Sequence, residues 1–162
     1  MNRRLLITAV VFLGLSASTV MAADMYAGTW KINIAKSTYS PGPAPRGPST
    51  TKIEAVENGI KLTADGVNAQ GQKTHVEFTV KFDGKDYPFT SMIDGKPAPN
   101  AADMISAKRI DDYTFETTTK LKGKPLLTAR TVASKDGKSE TTTFTGVNAQ
   151  GQKVNNVVVG EK

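Results

Sequence analysis

A single histidine, His75, stands in a chain of 162 residues that contains no cysteine. Thiol chemistry and thiolate metal ligation are therefore excluded. His75 has one carboxylate near it in sequence, Glu77, so a metal site centred on it would need carboxylates alone to complete it. Its place on the polar face of an alternating segment reads as a solvated side chain, with haem ligation as the sharp alternative. Asp111-Asp112 could form an acid pair or a calcium site, but adjacent acids on a tight turn commonly face water. Ser49-Thr50-Thr51-Lys52 fits Ser-x-x-Lys, a motif that opens a helix in serine acylases, whereas here it leads into an extended segment. Gly-x-Ser-x-Gly, His-Glu-x-x-His and a glycine-rich loop between strand and helix are all missing. The residues thus predict no catalytic group, no metal and no cofactor, and an enzyme ranks third among the readings below.

The elements that would position any site are strands. His75-Val76-Glu77-Phe78-Thr79-Val80-Lys81-Phe82 alternates polar and apolar, as a strand with one buried face does. Ile60-Leu62-Ala64, Tyr113-Phe115-Thr117-Thr119 and Leu127-Ala129-Thr131 follow the same period. Asn58-Gly59, Asp83-Gly84, Asp94-Gly95, Lys122-Gly123 and Asp136-Gly137 supply tight-turn chemistry between them. Strands are predicted near 28–34, 50–57, 59–66, 72–82, 86–93, 103–110, 113–122, 125–134, 138–146 and 153–160, with 86–93 weakened by Pro88.

A meander of eight to ten such strands, with no helix to cover a second face, must hide its edges. The all-β class predicted is a single antiparallel up-and-down barrel of 8–10 strands, with a two-sheet sandwich as the alternative. The inward face reads as Val76, Phe78, Val80, Phe82, Phe89, Met104, Phe115 and Leu127. Arg109 and Arg130 would meet an anionic head group if their strands turned them inside, and are surface arginines otherwise.

Two loops break the pattern. Ser40-Pro41-Gly42-Pro43-Ala44-Pro45-Arg46-Gly47-Pro48 reads as a stiff strap between the first two strands, with a lid or a proline-motif docking site as alternatives. Pro97-Ala98-Pro99-Asn100-Ala101-Ala102 is a second irregular loop. The octapeptide Gly66 to Lys73 recurs letter for letter as Gly146 to Lys153. Each copy reads as a hairpin loop: either an effective turn kept twice, or a paired recognition surface if both copies fall on one rim.

At the N-terminus, Arg3-Arg4 precede the apolar run Leu5 to Leu15, and Val20-Met21-Ala22 supplies a cleavage site. This is the pattern of a signal peptide over 1–22, leaving a barrel domain over 23–162 in the periplasm or outside the cell. The apolar run is too short for the roughly 20 residues that span a bilayer, so no transmembrane segment should remain after cleavage. Losing Arg3 and Arg4 takes the formal charge from +6 to +4 (6 − 2). The remaining lysines alternate with acids, which argues against nucleic acid as a partner.

Tyr26-Ala27-Gly28-Thr29-Trp30-Lys31-Ile32 resembles the first-strand Gly-x-Trp signature of the calycins, the lipocalins and fatty-acid-binding proteins. The resemblance implies a tryptophan packed across one end of an antiparallel barrel and an interior that holds a small apolar ligand. The mature chain is also similar to a group of small exported bacterial proteins of lipocalin-like appearance, through Gly28-Thr29-Trp30-Lys31, Ala35-Lys36-Ser37, Tyr39 to Pro43, Ser134 to Lys138 and Gly146 to Lys162. Val154 to Val159 departs from calycins in having no arginine to stack on Trp30, and the proline loop cannot form the paired helices that cap fatty-acid-binding proteins. The function expected is a monomeric, lipocalin-like binding protein for a small apolar or amphipathic ligand. The alternative is a non-enzymatic envelope protein with a packed barrel and its function on the rim loops.

Overall fold

The computed structural model describes residues 25–148 and 150–162. The leader expected over 1–22 lies outside them. Eleven strands form among the described residues: β1 (Gly28–Ile32), β2 (Thr50–Val56), β3 (Gly59–Val67), β4 (Lys73–Lys81), β5 (Tyr87–Ile93), β6 (Lys96–Pro97), β7 (Met104–Arg109), β8 (Thr114–Leu121), β9 (Lys124–Ala133), β10 (Ser139–Val147) and β11 (Lys153–Glu161). All pair antiparallel in one sheet. β4 meets β5 and β1 meets β11, so ten strands close a barrel, while β6 only extends the β5 turn. The single closed antiparallel barrel predicted from alternation is the architecture found, and the sandwich is not.

The ring is uneven. β3–β4 and β10–β11 each hold nine register pairs. β1–β11 and β5–β7 hold two each. Pro88 sits in the second thin seam, where its missing N–H removes a ladder donor. The first seam is reinforced from outside the strands: the Asn33 N–H donates to the Val159 carbonyl, and Thr38 pairs with Val157 in both directions. The segment from Asn33 to Ser40 thus continues the wall along β11, with the Asn155 N–H donating to the Ser40 carbonyl, and the proline strap then reaches the loop after β3, where the Arg46 N–H donates to the Asn68 carbonyl.

One end of the barrel is plugged. Trp30 and Tyr26 are fully buried, and the Trp30 Nε1–H donates to the Tyr26 carbonyl at 2.9 Å. The Tyr26 ring meets Phe115 edge-on at 4.9 Å and Phe82 at 6.2 Å. Edge contacts of this kind add about 0.5–1.5 kcal/mol each beyond simple burial. Ile60 and Val80 complete this plug.

The two octapeptides build the same loop twice. Asn68 Oδ1 accepts the N–H groups of Gln70 and Gln72, and Asn68 Nδ2 donates to Gln72 Oε1. Asn148 makes the same three bonds with Gln150 and Gln152. Gly71 and Gly151 take φ of +84° and +78°, a region that favours glycine. Six barrel strands (β4, β5, β7, β8, β9, β10) separate the copies, so both stand on the rim opposite the plug. Their Asn and Gln72/Gln152 amides are spent on shaping the turns.

Candidate functional site

Between the plug and the opposite rim lies a cavity of about 510 Å³. Its wall is the inward face of every long strand, because alternate residues of a barrel strand share one side. Ile53, Leu62, Val76, Phe78, Phe89, Ile105 and Phe115 form its lower apolar wall, and Phe78 stacks on Phe89 with ring centres 5.8 Å apart. Leu126, Leu127, Val147, Asn148 and Gln150 line the mouth, and Ala98 to Ala102 fold across it. Hydroxyls interrupt the apolar wall: Thr131 and Thr142 face the cavity with their oxygens 2.9 Å apart, and Thr119 Oγ1 donates to the Leu127 carbonyl.

Of the residues expected inside, Val76, Phe78, Phe89, Phe115 and Leu127 line this space. Val80 and Phe82 belong to the plug below it. Met104 is a correction. It pairs with Lys120 and Pro88, while its neighbour Ile105 takes the cavity face. Arg109 does not reach the cavity either: its guanidinium lies 5.6 Å from the Tyr26 ring centre and 5.9 Å from that of Phe82, capping the plug. Arg130 is exposed and stands 3.8 Å from Glu116 on the outer wall. The second irregular loop, not the proline strap, covers the mouth; among the described residues, none of 33–49 lines the cavity.

The residue that sequence reasoning missed is Glu140. It is only 4% exposed, it lines the inner end of the cavity, and its Oε2 has no hydrogen-bond partner. Opposite it in β11 stands Gly160, where an added Cβ would lie 3.1 Å from the Glu140 Cγ and from the Trp30 Cβ. Glycine there makes the room that the carboxyl occupies. Burial pushes the Glu140 carboxyl from 4.5 up to about 8, opposed by the positive charge of Lys162. Lys162 also places its Nζ 4.4 Å from the centre of the Trp30 ring. The cation absent from Val154 to Val159 is thus supplied three residues further on.

His75 lies on the outer wall of β4. Its Nδ1 is 2.8 Å from Asp65 Oδ1 on β3 and its Nε2 3.7 Å from Glu77 Oε2. The hydrogen bond with Asp65, ahead of Glu77, raises its pKa above 6.5. Asp65 is a cross-strand neighbour ten residues away, a separation that linear spacing does not reveal. Among the described residues no cluster of three His, Asp or Glu side chains could hold a metal ion.

Fold and site together define a closed ten-strand antiparallel barrel around a largely apolar cavity. No protein-family model and no curated protein sequence matches the chain. Among solved structures it is similar to zebrafish ileal bile acid-binding protein complexed with cholic acid, at 17% identity and a TM-score of 0.51, over 85% of this chain and 98% of that one. Identity that low carries the fold alone.

Proposed function

We propose that this chain is an exported binding protein that takes one small apolar or amphipathic molecule into its barrel. The observation that carries the reading is the cavity of about 510 Å³ walled mainly by aliphatic and aromatic side chains. Ligand pockets run from about 300 to 1,000 Å³ and combine such walls with a few polar groups. The zebrafish protein, complexed with cholic acid, supplies a precedent for an amphipathic ligand in this fold. Export rests on the charged, apolar and small-residue order of 1–22, and no helix among the described residues is long and apolar enough to cross a membrane.

The mouth loop and the plug divide the work. Ala98 to Ala102 are the entrance, and Trp30 with Tyr26 keeps the far end shut, so a ligand enters and leaves by one rim. Nile red, an uncharged fluorophore, should bind saturably with one site per chain. Ala129→Trp fills the cavity from β9 and should abolish that binding while leaving the far-ultraviolet spectrum intact. Native mass spectrometry of the protein purified gently from its own compartment should show a single chain beginning at Ala23 with a retained small molecule. A correctly folded wild type that gives Nile red no enhancement would defeat the reading.

A further inference from the structure

Resting on that reading, we infer that the cavity selects ligands whose buried end carries an uncharged oxygen, such as a hydroxyl, set against Glu140, and that it turns carboxylates away. Glu140 is the one ionisable residue among the described residues that line the cavity, and no lysine, arginine or histidine accompanies it there. A ligand carboxylate would therefore lose its water and find no cation in return. Glu140 Oε2 is buried without a partner at the end of the cavity that a ligand reaches last. The Glu140 side chain lines that end of a largely apolar wall and carries an oxygen with no partner, which marks where a ligand's polar atom belongs.

Register fixes the surroundings of that atom. Glu140 pairs with Ala133 on β9 and Gly160 on β11, and the Thr131–Thr142 pair lies one inward step nearer the mouth. Lys162, at the chain end outside Trp30, is the charged group whose field reaches it. With its proton retained, the carboxyl offers both a donor and an acceptor, which a hydroxyl matches with its own acceptor and donor. An ammonium group would need Glu140 ionised and further acceptors besides, whereas the nearby hydroxyls of Thr131 and Thr142 are engaged with each other.

Displacement of bound Nile red by decanol, decanoate and decylamine at pH 7 separates the cases, because the three share one chain length. Wild type should yield to decanol at a concentration about tenfold or more below decanoate, the size expected of a buried hydrogen bond made against one left unmade. Glu140→Leu should need about tenfold more decanol than wild type while still binding Nile red, with decanoate staying weak because no cation is added; Glu140→Gln, whose amide both donates and accepts, should keep decanol near its wild-type strength. Decanoate or decylamine as the strongest competitor, or decanol equally potent against Glu140→Leu and wild type, overturns the inference and leaves the binding function standing. Failure of Nile red to bind at all would remove both.

Discussion

A carboxyl taken out of water keeps its proton unless something positive comes with it, and the one charge that opposes burial at Glu140 is that of Lys162. Its folded pKa of about 8 stands above the ordinary 4.5, so the folded state holds the proton more tightly than the unfolded chain. The stability this residue allows is therefore fully present below about 4.5 and is lost as pH rises through about 8. Between those limits the slope approaches about 1.4 kcal/mol per pH unit. Urea midpoints measured from pH 4.5 to 8 should fall for wild type relative to Glu140→Gln, and parallel curves for the two proteins would show that the carboxyl is solvated. This residue was not legible in the sequence. Ser139-Glu140-Thr141-Thr142-Thr143 reads as a polar strand, and the acid lies inside because it shares a face with Thr142 and Phe144 and pairs with Gly160, which leaves it room. The same blindness hides Asp65 from His75 and Lys162 from Trp30, because each pair is made by register or chain-end folding.

At the scale of elements, alternation and turn chemistry carried most of the information. The ten strands expected lie within two residues of barrel strands at each end, since the buried face and the turns both constrain them. β4 reads cleanly because four apolar residues alternate without interruption from Val76 to Phe82. β7 does not: Met104 and Ile105 are adjacent apolar residues, so period two permits either face inside, and the pairing of Tyr87 with Ile105 decides for Ile105. The repeated octapeptide was legible as two hairpin loops, but identical letters do not carry identical constraints. Gly146 has φ +138°, and an added Cβ would lie 2.1 Å from the Leu126 carbonyl oxygen. Gly66 holds no such φ, and its added Cβ would meet the Ser49 Oγ at 2.3 Å, a side chain that can rotate. Gly146→Ala should then cost about 1–3 kcal/mol, the scale of backbone strain plus a clash with main chain. Gly66→Ala should cost distinctly less in the same urea titration, and equal losses would mean that the turn alone sets the constraint.

The whole molecule is a ring with a sealed end, an open end and two thin seams. Closure removes sheet edges, yet the seam between β5 and β7 is held by only two register pairs, with the Phe89 N–H donating to the Asp103 carbonyl beside them. The connection from β5 to β7 is also the one that folds Ala98 to Ala102 over the mouth. Weak pairing and the proposed entrance thus coincide, so on that reading a ligand would pass without opening the long ladders of β3–β4 and β10–β11. Elements of few contacts open locally at a small fraction of the global free energy. Native-state hydrogen exchange should therefore find the amides of 94–103 and the β5 amides facing β7 least protected, and those joining β10 to β11 most protected. Saturation with Nile red should slow exchange over 98–103 and leave the Trp30 end unchanged, because the plug takes no part in entry. Protection gained first around Tyr26 and Trp30, with 98–103 unaltered, would put the entrance at the other end of the barrel.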